Sequence, residues 1–431
     1  MQVSNHDFFD LARRGRLNAI PHGLLTVENL TIQDKDGNTP VHIAAKSGYL
    51  TQVPREALAA ALKVRNKEGM TPLHWAPGHN SLVQIPQDLL TIENLSALST
   101  DQNPMAPIHF AAYHKQLKFI PPALLTKELL EMPDGVKWSP THWAAFHGGL
   151  DQLPADKLRA VDVTSRDKDG TTILHLAAGA GTLVEFPVGM ITEELLLTRD
   201  AANRTVFHEA ASHGNLPQID TKFKTAKNFN FGDDTNASVY HAAAERGNLG
   251  DVPLHLLTQE HLNLLNDQMQ TVFHAASLGG CLDAIPRDLL NAGNLLNPDI
   301  NGRTALHQAQ IIALIPECLL TQENLLRTDK LGRTVFHDLA ANGNLEFIPT
   351  ELITLENLTR FNAKKQTALS EAAANDHLDL IPDLKESVFI LMKPERREQW
   401  RNAFLAQGLD LPPVVAKCWK HIGEPGAWGD L

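Results

Sequence analysis

Histidine is the residue type in this chain that could do chemistry in quantity. Ten histidines recur at 42, 74, 109, 142, 175, 208, 241, 274, 307 and 337 of the 431 residues. A row of imidazoles can bind metal or relay protons near neutral pH. The separations are 32, 35, 33, 33, 33, 33, 33, 33 and 30 residues. Spacing this even puts one histidine in each of a series of like elements. Stacked helices lie ~8–10 Å apart, too far for successive rings to share one ion. The cysteines give no better a site. Cys281 and Cys318 have no histidine beside them, and Cys418-Trp419-Lys420-His421 reads as a turn of the tail. Gly-x-Ser-x-Gly, a Gly-rich phosphate loop, His-Glu-x-x-His and Cys-x-x-Cys do not occur, and with them go the familiar hydrolase, nucleotide, zinc and redox sites. The expectation is a non-enzyme with no catalytic residue, no metal ligand and no cofactor.

Composition narrows the class further. The chain has 38 Lys+Arg against 50 Asp+Glu, a net charge of -12, whereas nucleic-acid binders need a basic face. Hydrophobic residues at 43% and charged residues at 20% belong to a folded protein. The longest apolar runs, such as Val388 to Met392, are far short of the ~20 residues that span a bilayer. The polar start, Met1 to Phe9, lacks the blocks of a secretory signal. Three cysteines cannot frame a disulfide scaffold and suit a reducing compartment. A soluble, acidic, cytoplasmic protein without nucleic-acid or membrane partners is expected.

The elements that carry the histidines are repeats. Thr39-Pro40-Val41-His42-Ile43-Ala44-Ala45 returns as Thr71-Pro72-Leu73-His74-Trp75-Ala76-Pro77 and as Ser139-Pro140-Thr141-His142-Trp143-Ala144-Ala145. Stepping 33 residues back from His42 reaches Phe9, and 33 forward from His337 reaches Ser370, so about twelve units fill residues 1–382. Asp-x-x-Gly ahead of the phrase makes a turn. Thr caps a helix, Pro suits its first position and Ala-Ala lets neighbouring helices approach. Gly48, Gly181, Gly214, Gly247 and Gly343, six residues after their histidines, end that helix.

The period, together with Asp-x-x-Gly-x-Thr-x-x-His-x-Ala-Ala, resembles the ankyrin repeat. Asp34-Lys35-Asp36-Gly37-Asn38-Thr39, Asp167-Lys168-Asp169-Gly170-Thr171-Thr172 and Asp329-Lys330-Leu331-Gly332-Arg333-Thr334 carry the likeness. It implies an all-α solenoid of helix-turn-helix units with hairpin tips. It also implies that each histidine is interior and bonds the turn of a neighbouring unit. The second half of each unit departs from the family. Eleven units place Pro after an aliphatic or aromatic residue, and several add Leu-Thr-x-Glu, as in Leu25-Thr26-Val27-Glu28-Asn29-Leu30. This predicts a short helix opening at Pro and another opening at Thr, a variant that resembles arrays of bacterial proteins.

Three places break the period. Asp220 replaces the proline ahead of 221–231, where a different outer face is expected. Three residues are missing near 308–316, which should remove the first helix's last turn and leave a bend or weak seam. The 35-residue gap before His109 predicts a loop insertion around Ser99 to Met105. Residues 383–431 do not repeat, and a helix from Pro394 with Trp400, Phe404 and Leu405 on one side reads as a C-terminal helical cap.

The resemblance further implies a protein partner held on a concave face of turn tips and first helices. The positions to inspect are one before the motif Thr, and four and five after the histidine. There the third to fifth units combine Met70, Met105 and Trp138 with Tyr113 and Phe146, and with His79, His114 and His147. An aromatic patch on a face that is usually polar marks a binding hot spot. The alternative is that these side chains pack on one another to fill defects around the insertion. Trp75, Phe110 and Trp143 are expected to be inter-unit core. The function expected is a scaffold, monomeric on its own, that binds another protein. Alternatives are a translocated bacterial effector acting on a host protein, and an enzyme whose site lies in the C-terminal region.

Overall fold

The computed structural model describes residues 4–375 and 377. The expected C-terminal cap, with Trp400, Phe404, Leu405, Cys418 and His421, lies outside the described residues. The chain forms two compact units, Met1–Phe223 and Lys224–Leu431. Among the described residues both are built of short helices without strands, and no helix is long and apolar enough to cross a membrane.

In the first unit the motif helices Asn5–Arg13, Pro40–Ser47, Pro72–Trp75, Pro107–Tyr113, Pro140–His147, Ile173–Ala180 and Val206–Ser212 pack each on the next. The second unit stacks Val239–Glu245, Val272–Leu278, the single turn Ala305–Gln308, Val335–Ala341 and Ala368–Ala374 in the same way. Close stacking follows from the small Ala-Ala pair: Ala44, Ala45, Ala144 and Ala145 are fully buried. Thr39 caps its helix by accepting the His42 N–H at 3.3 Å. Gly48 ends the same helix at φ +84°. Asn80 and Lys115 take the corresponding left-handed position without glycine, and non-glycine residues adopt it at a cost.

The second layer has the form the prolines dictate. After Leu17–Ala19 and Pro21, a tight turn His22–Leu24 leads to the helix Val27–Leu30, capped by Thr26. The asparagine of Glu-Asn-Leu closes the piece. Asn29 donates to the Leu24 carbonyl at 2.8 Å, as Asn94 does to Leu89 and Asn324 to Leu319. Two units that lack the Leu-Thr phrase run one continuous helix instead, Arg55–Ala61 and Ala155–Ala160.

The irregular places resolve individually. The insertion stands where expected: Ser99 N–H closes on the Met105 carbonyl, two residues wider than the Asp34–Asn38 closure. The shortened unit keeps only Ala305–Gln308 of its first helix. The turn Thr221–Phe223 forms without proline, because the Asp220 side chain accepts the Lys222 N–H at 3.1 Å and its carbonyl accepts that of Phe223.

A glutamine row ties successive layers of the first unit. Gln84 accepts the Thr51 N–H at 3.1 Å and donates to the Gly48 carbonyl at 2.9 Å. Gln52 does the same with Asn18 and Gly15, and Glu185 accepts the amides of both Gly149 and Leu150. Removing this clamp with Gln84→Ala should cost about 1–2 kcal/mol, two ordinary hydrogen bonds. Urea unfolding would show it as a lower midpoint at constant slope, and an unchanged midpoint would contradict it.

Candidate partner-binding surface

Most tips are drawn into shape by their own aspartate, with an asparagine in its place at Asn66, Asn266 and Asn362. Asp34 accepts the amides of Asp36 and Asn38, both at 2.9 Å, and Asp167 those of Asp169 and Thr171. Neighbouring tips then join through their backbones, Lys67 to Asp36 and Thr100 to Glu68.

The motif histidines fasten tips to helices. In His42 the Nδ1 accepts the Thr39 amide at 3.0 Å, so the proton sits on Nε2, which donates to the Met70 carbonyl of the next unit at 3.1 Å. His109, His175, His241, His274, His307 and His337 reach a carbonyl of the following unit in the same way. Ser370 takes the imidazole's place by accepting the Thr367 amide through its hydroxyl at 2.8 Å. Burial holds His42, His74 and His241 down to about 4 and lowers His109, His142, His175, His274, His307 and His337. The rings that reach a carbonyl are neutral structural staples, whereas His74 and His142 hold the start of their own helix through Nδ1 and bury Nε2 without a hydrogen-bond partner.

On this scaffold the first unit carries a cluster of rings. Trp138 packs on Trp143 with centroids 4.6 Å apart and edge-on to Phe146 at 5.5 Å. Trp143 meets Tyr113 at 5.3 Å and stacks on His147 at 5.8 Å with 12° between the planes. Tyr113 and Phe146 close on the same imidazole, at 4.3 and 5.1 Å. Both indoles are anchored: Trp138 Nε1–H donates to Asp167 at 2.9 Å and Trp143 Nε1–H to Asp134 at 2.8 Å. The carboxylates that shape the tips thereby orient the rings as well. Trp138 and Trp143 are half-buried, while Tyr113 and Phe146 remain 40% and 46% exposed.

Of the residues expected at this surface, Tyr113, His114, Trp138, Phe146 and His147 come together. Tyr113 touches His114 edge-on at 4.7 Å. Met70 stands apart, its sulfur 3.3 Å from the Trp75 Nε1–H. Met105 is half-buried at the base of the long tip, and His79 is exposed at the end of Pro77–His79. Trp75 and Phe110 lie edge-on to the histidine of the preceding unit, His42 and His74, as inter-unit residues should. Trp143 is a correction. It belongs to the ring cluster, because Tyr113 and Trp138 reach its two sides. Sequence reasoning missed Asp134 and Asp167 as indole acceptors, since the signal marking them as turn formers also explains them fully. His114 is shifted downward by burial and by the nearby His79 and His147, and His147 by burial and by Lys115.

Residues 9–85 match the family model of ankyrin repeats, in three copies. That segment carries ankyrin repeats. Outside residues 9–85 the staple and tip geometry recurs, and the second-layer turn opening at Pro is common to the matched ankyrin segment and later units. No curated protein matches. Among solved structures, one similar chain belongs to the complex described as the Bd0816 predatory endopeptidase from Bdellovibrio bacteriovorus with immunity protein Bd3460. It is 22% identical over 40% of this chain and 91% of that one, with a TM-score of 0.33.

Proposed function

We propose that the chain is a non-catalytic scaffold, acting in the cytoplasm, that holds a partner protein on the surface built around Tyr113, Trp138 and Phe146. Ankyrin repeats are protein–protein interaction scaffolds. The observation that carries the particular surface is the division of labour within the ring cluster. Two tryptophans are bolted to carboxylates, and on them Tyr113 and Phe146 present large apolar faces that the fold itself does not bury. Rigid, exposed aromatic side chains lose little entropy on contact and are the usual centre of a hot spot.

The test is capture of a protein from source-cell extract by the wild type and by a Tyr113→Ala, Phe146→Ala variant. These two substitutions leave both indole hydrogen bonds in place. A band retained by the wild type and lost by the variant supports the surface, and a band indifferent to the substitutions moves the binding site elsewhere.

The same surface predicts a pH dependence. A partner covering His114 and His147 buries them further and holds them neutral, so protons compete with the partner. Affinity should fall by about threefold to tenfold as the pH drops from roughly 7 to 5.5. Titrations at both ends of that window check this, and equal affinities would contradict it.

A further inference from the structure

The chemistry of the partner can be taken one step beyond this reading, on which it rests. Each exposed ring stands on an indole whose N–H points into a carboxylate. Asp134 and Asp167 are both 8% exposed, so their charges sit beneath the ring platform and are little screened by water. An anion accepting an indole N–H also pushes electron density into that ring, which deepens the negative potential over its face. A cation over an aromatic face is attracted by that potential. A cation over an indole face already occurs two units earlier in the same series of positions, where Lys46 Nζ lies 5.0 Å from the centre of Trp75, an indole whose N–H meets the Met70 sulfur rather than a carboxylate.

His114 and His147 are held neutral at pH 7 by burial. Lys115 is the cation that His147 feels, and Glu185 lies on the same side of Gly148 without forming an ion pair with it, its carboxylate accepting the Gly149 and Leu150 amides. The whole chain carries a charge of -12.

We propose that Tyr113 and Phe146, backed by the carboxylate-bound indoles of Trp138 and Trp143, receive a cationic side chain of the partner, an arginine guanidinium laid flat on the rings. The guanidinium is planar and weakly hydrated, so it gives up water to an aromatic face more readily than an ammonium does.

The experiment titrates full-length protein with tetra-arginine amide, with its neutral isostere tetracitrulline amide and with a Leu-Ser-Leu-Ser peptide. Tryptophan fluorescence and calorimetry are the readouts. Tetra-arginine should bind at least tenfold more tightly than tetracitrulline, and the Tyr113→Ala, Phe146→Ala variant should weaken it roughly tenfold, the combined worth of two exposed cation–π contacts. Equal binding of tetra-arginine by wild type and variant would reduce the effect to general attraction by an acidic chain and overturn the proposal. So would equal binding of the arginine and citrulline peptides, or no binding of either. Ring-dependent binding of the leucine peptide alone would also overturn it, while leaving the surface itself standing as a protein-binding site.

Discussion

Lowering the pH from 7 to 5 should unfold either unit well before its carboxylates titrate. Above pH ~6.5 the motif histidines are neutral in folded and unfolded chains alike, and their staples contribute fully. Between 6.5 and the folded value, the unfolded chain takes up a proton that the folded chain refuses. For His42, His74 and His241 that window runs down to about 4. Geometry gives the reason alongside burial: the second proton would have to sit on Nδ1, which already faces the Thr39, Thr71 or Ser238 amide. Each such ring withdraws about 1.4 kcal/mol of stability per pH unit, and roughly 3 kcal/mol across the whole window. Because the staples recur unit after unit, the slopes add within whatever block unfolds together. Urea midpoints at pH 7, 6 and 5 should therefore fall steeply from the first step. A midpoint level down to pH 5 and falling only near 4 would assign acid unfolding to carboxylates instead and contradict the staple account.

The second large effect concerns the platform. Trp138→Ala should destabilise the first unit by about 2–3 kcal/mol. It removes a half-buried ring packed on Trp143 and Phe146, and it strips a nearly buried Asp167 oxygen of its indole donor. Trp138→Phe, which keeps a ring but not the N–H, should lose about 1 kcal/mol. Phe146→Ala should stay at or below roughly 1 kcal/mol, because nearly half of that side chain is already in water. Urea unfolding of the three variants gives the order. A Phe146→Ala loss as large as that of Trp138→Ala would mean the exposed ring is structural, and the cluster a packing device.

What was legible in the sequence is what acts over a few residues. Thr39 capping the helix that holds His42, Gly48 at its end and Asp34 folding its own tip are contacts spanning three or four residues, and residue type decides them. The repeat extended this reach to one long-range contact, the bond from histidine to the next unit, since a likeness to ankyrin repeats implies it. The remaining contacts cross between units through side chains specific to one place. Trp138 finds Asp167 29 residues away, and Gln84 clamps Gly48 36 residues back. No local pattern distinguishes these partners from solvated polar residues. The same reason put Trp143 in the wrong group. One residue after its histidine it should be core, but Tyr113 of the preceding unit and Trp138 of its own draw it into the cluster. The asparagine of Glu-Asn-Leu was the reverse case. Its bond to a carbonyl five residues earlier is local and was open to reading.

The central claim is that Tyr113 and Phe146 are exposed for a partner rather than for the fold. Its most direct measurement sets two numbers side by side for Phe146→Ala: the urea midpoint, and the dissociation constant for the protein captured from extract. A midpoint close to wild type with an affinity weakened at least tenfold, about 1.4 kcal/mol or more of binding, is the predicted result. An unchanged affinity beside a lowered midpoint would contradict the account.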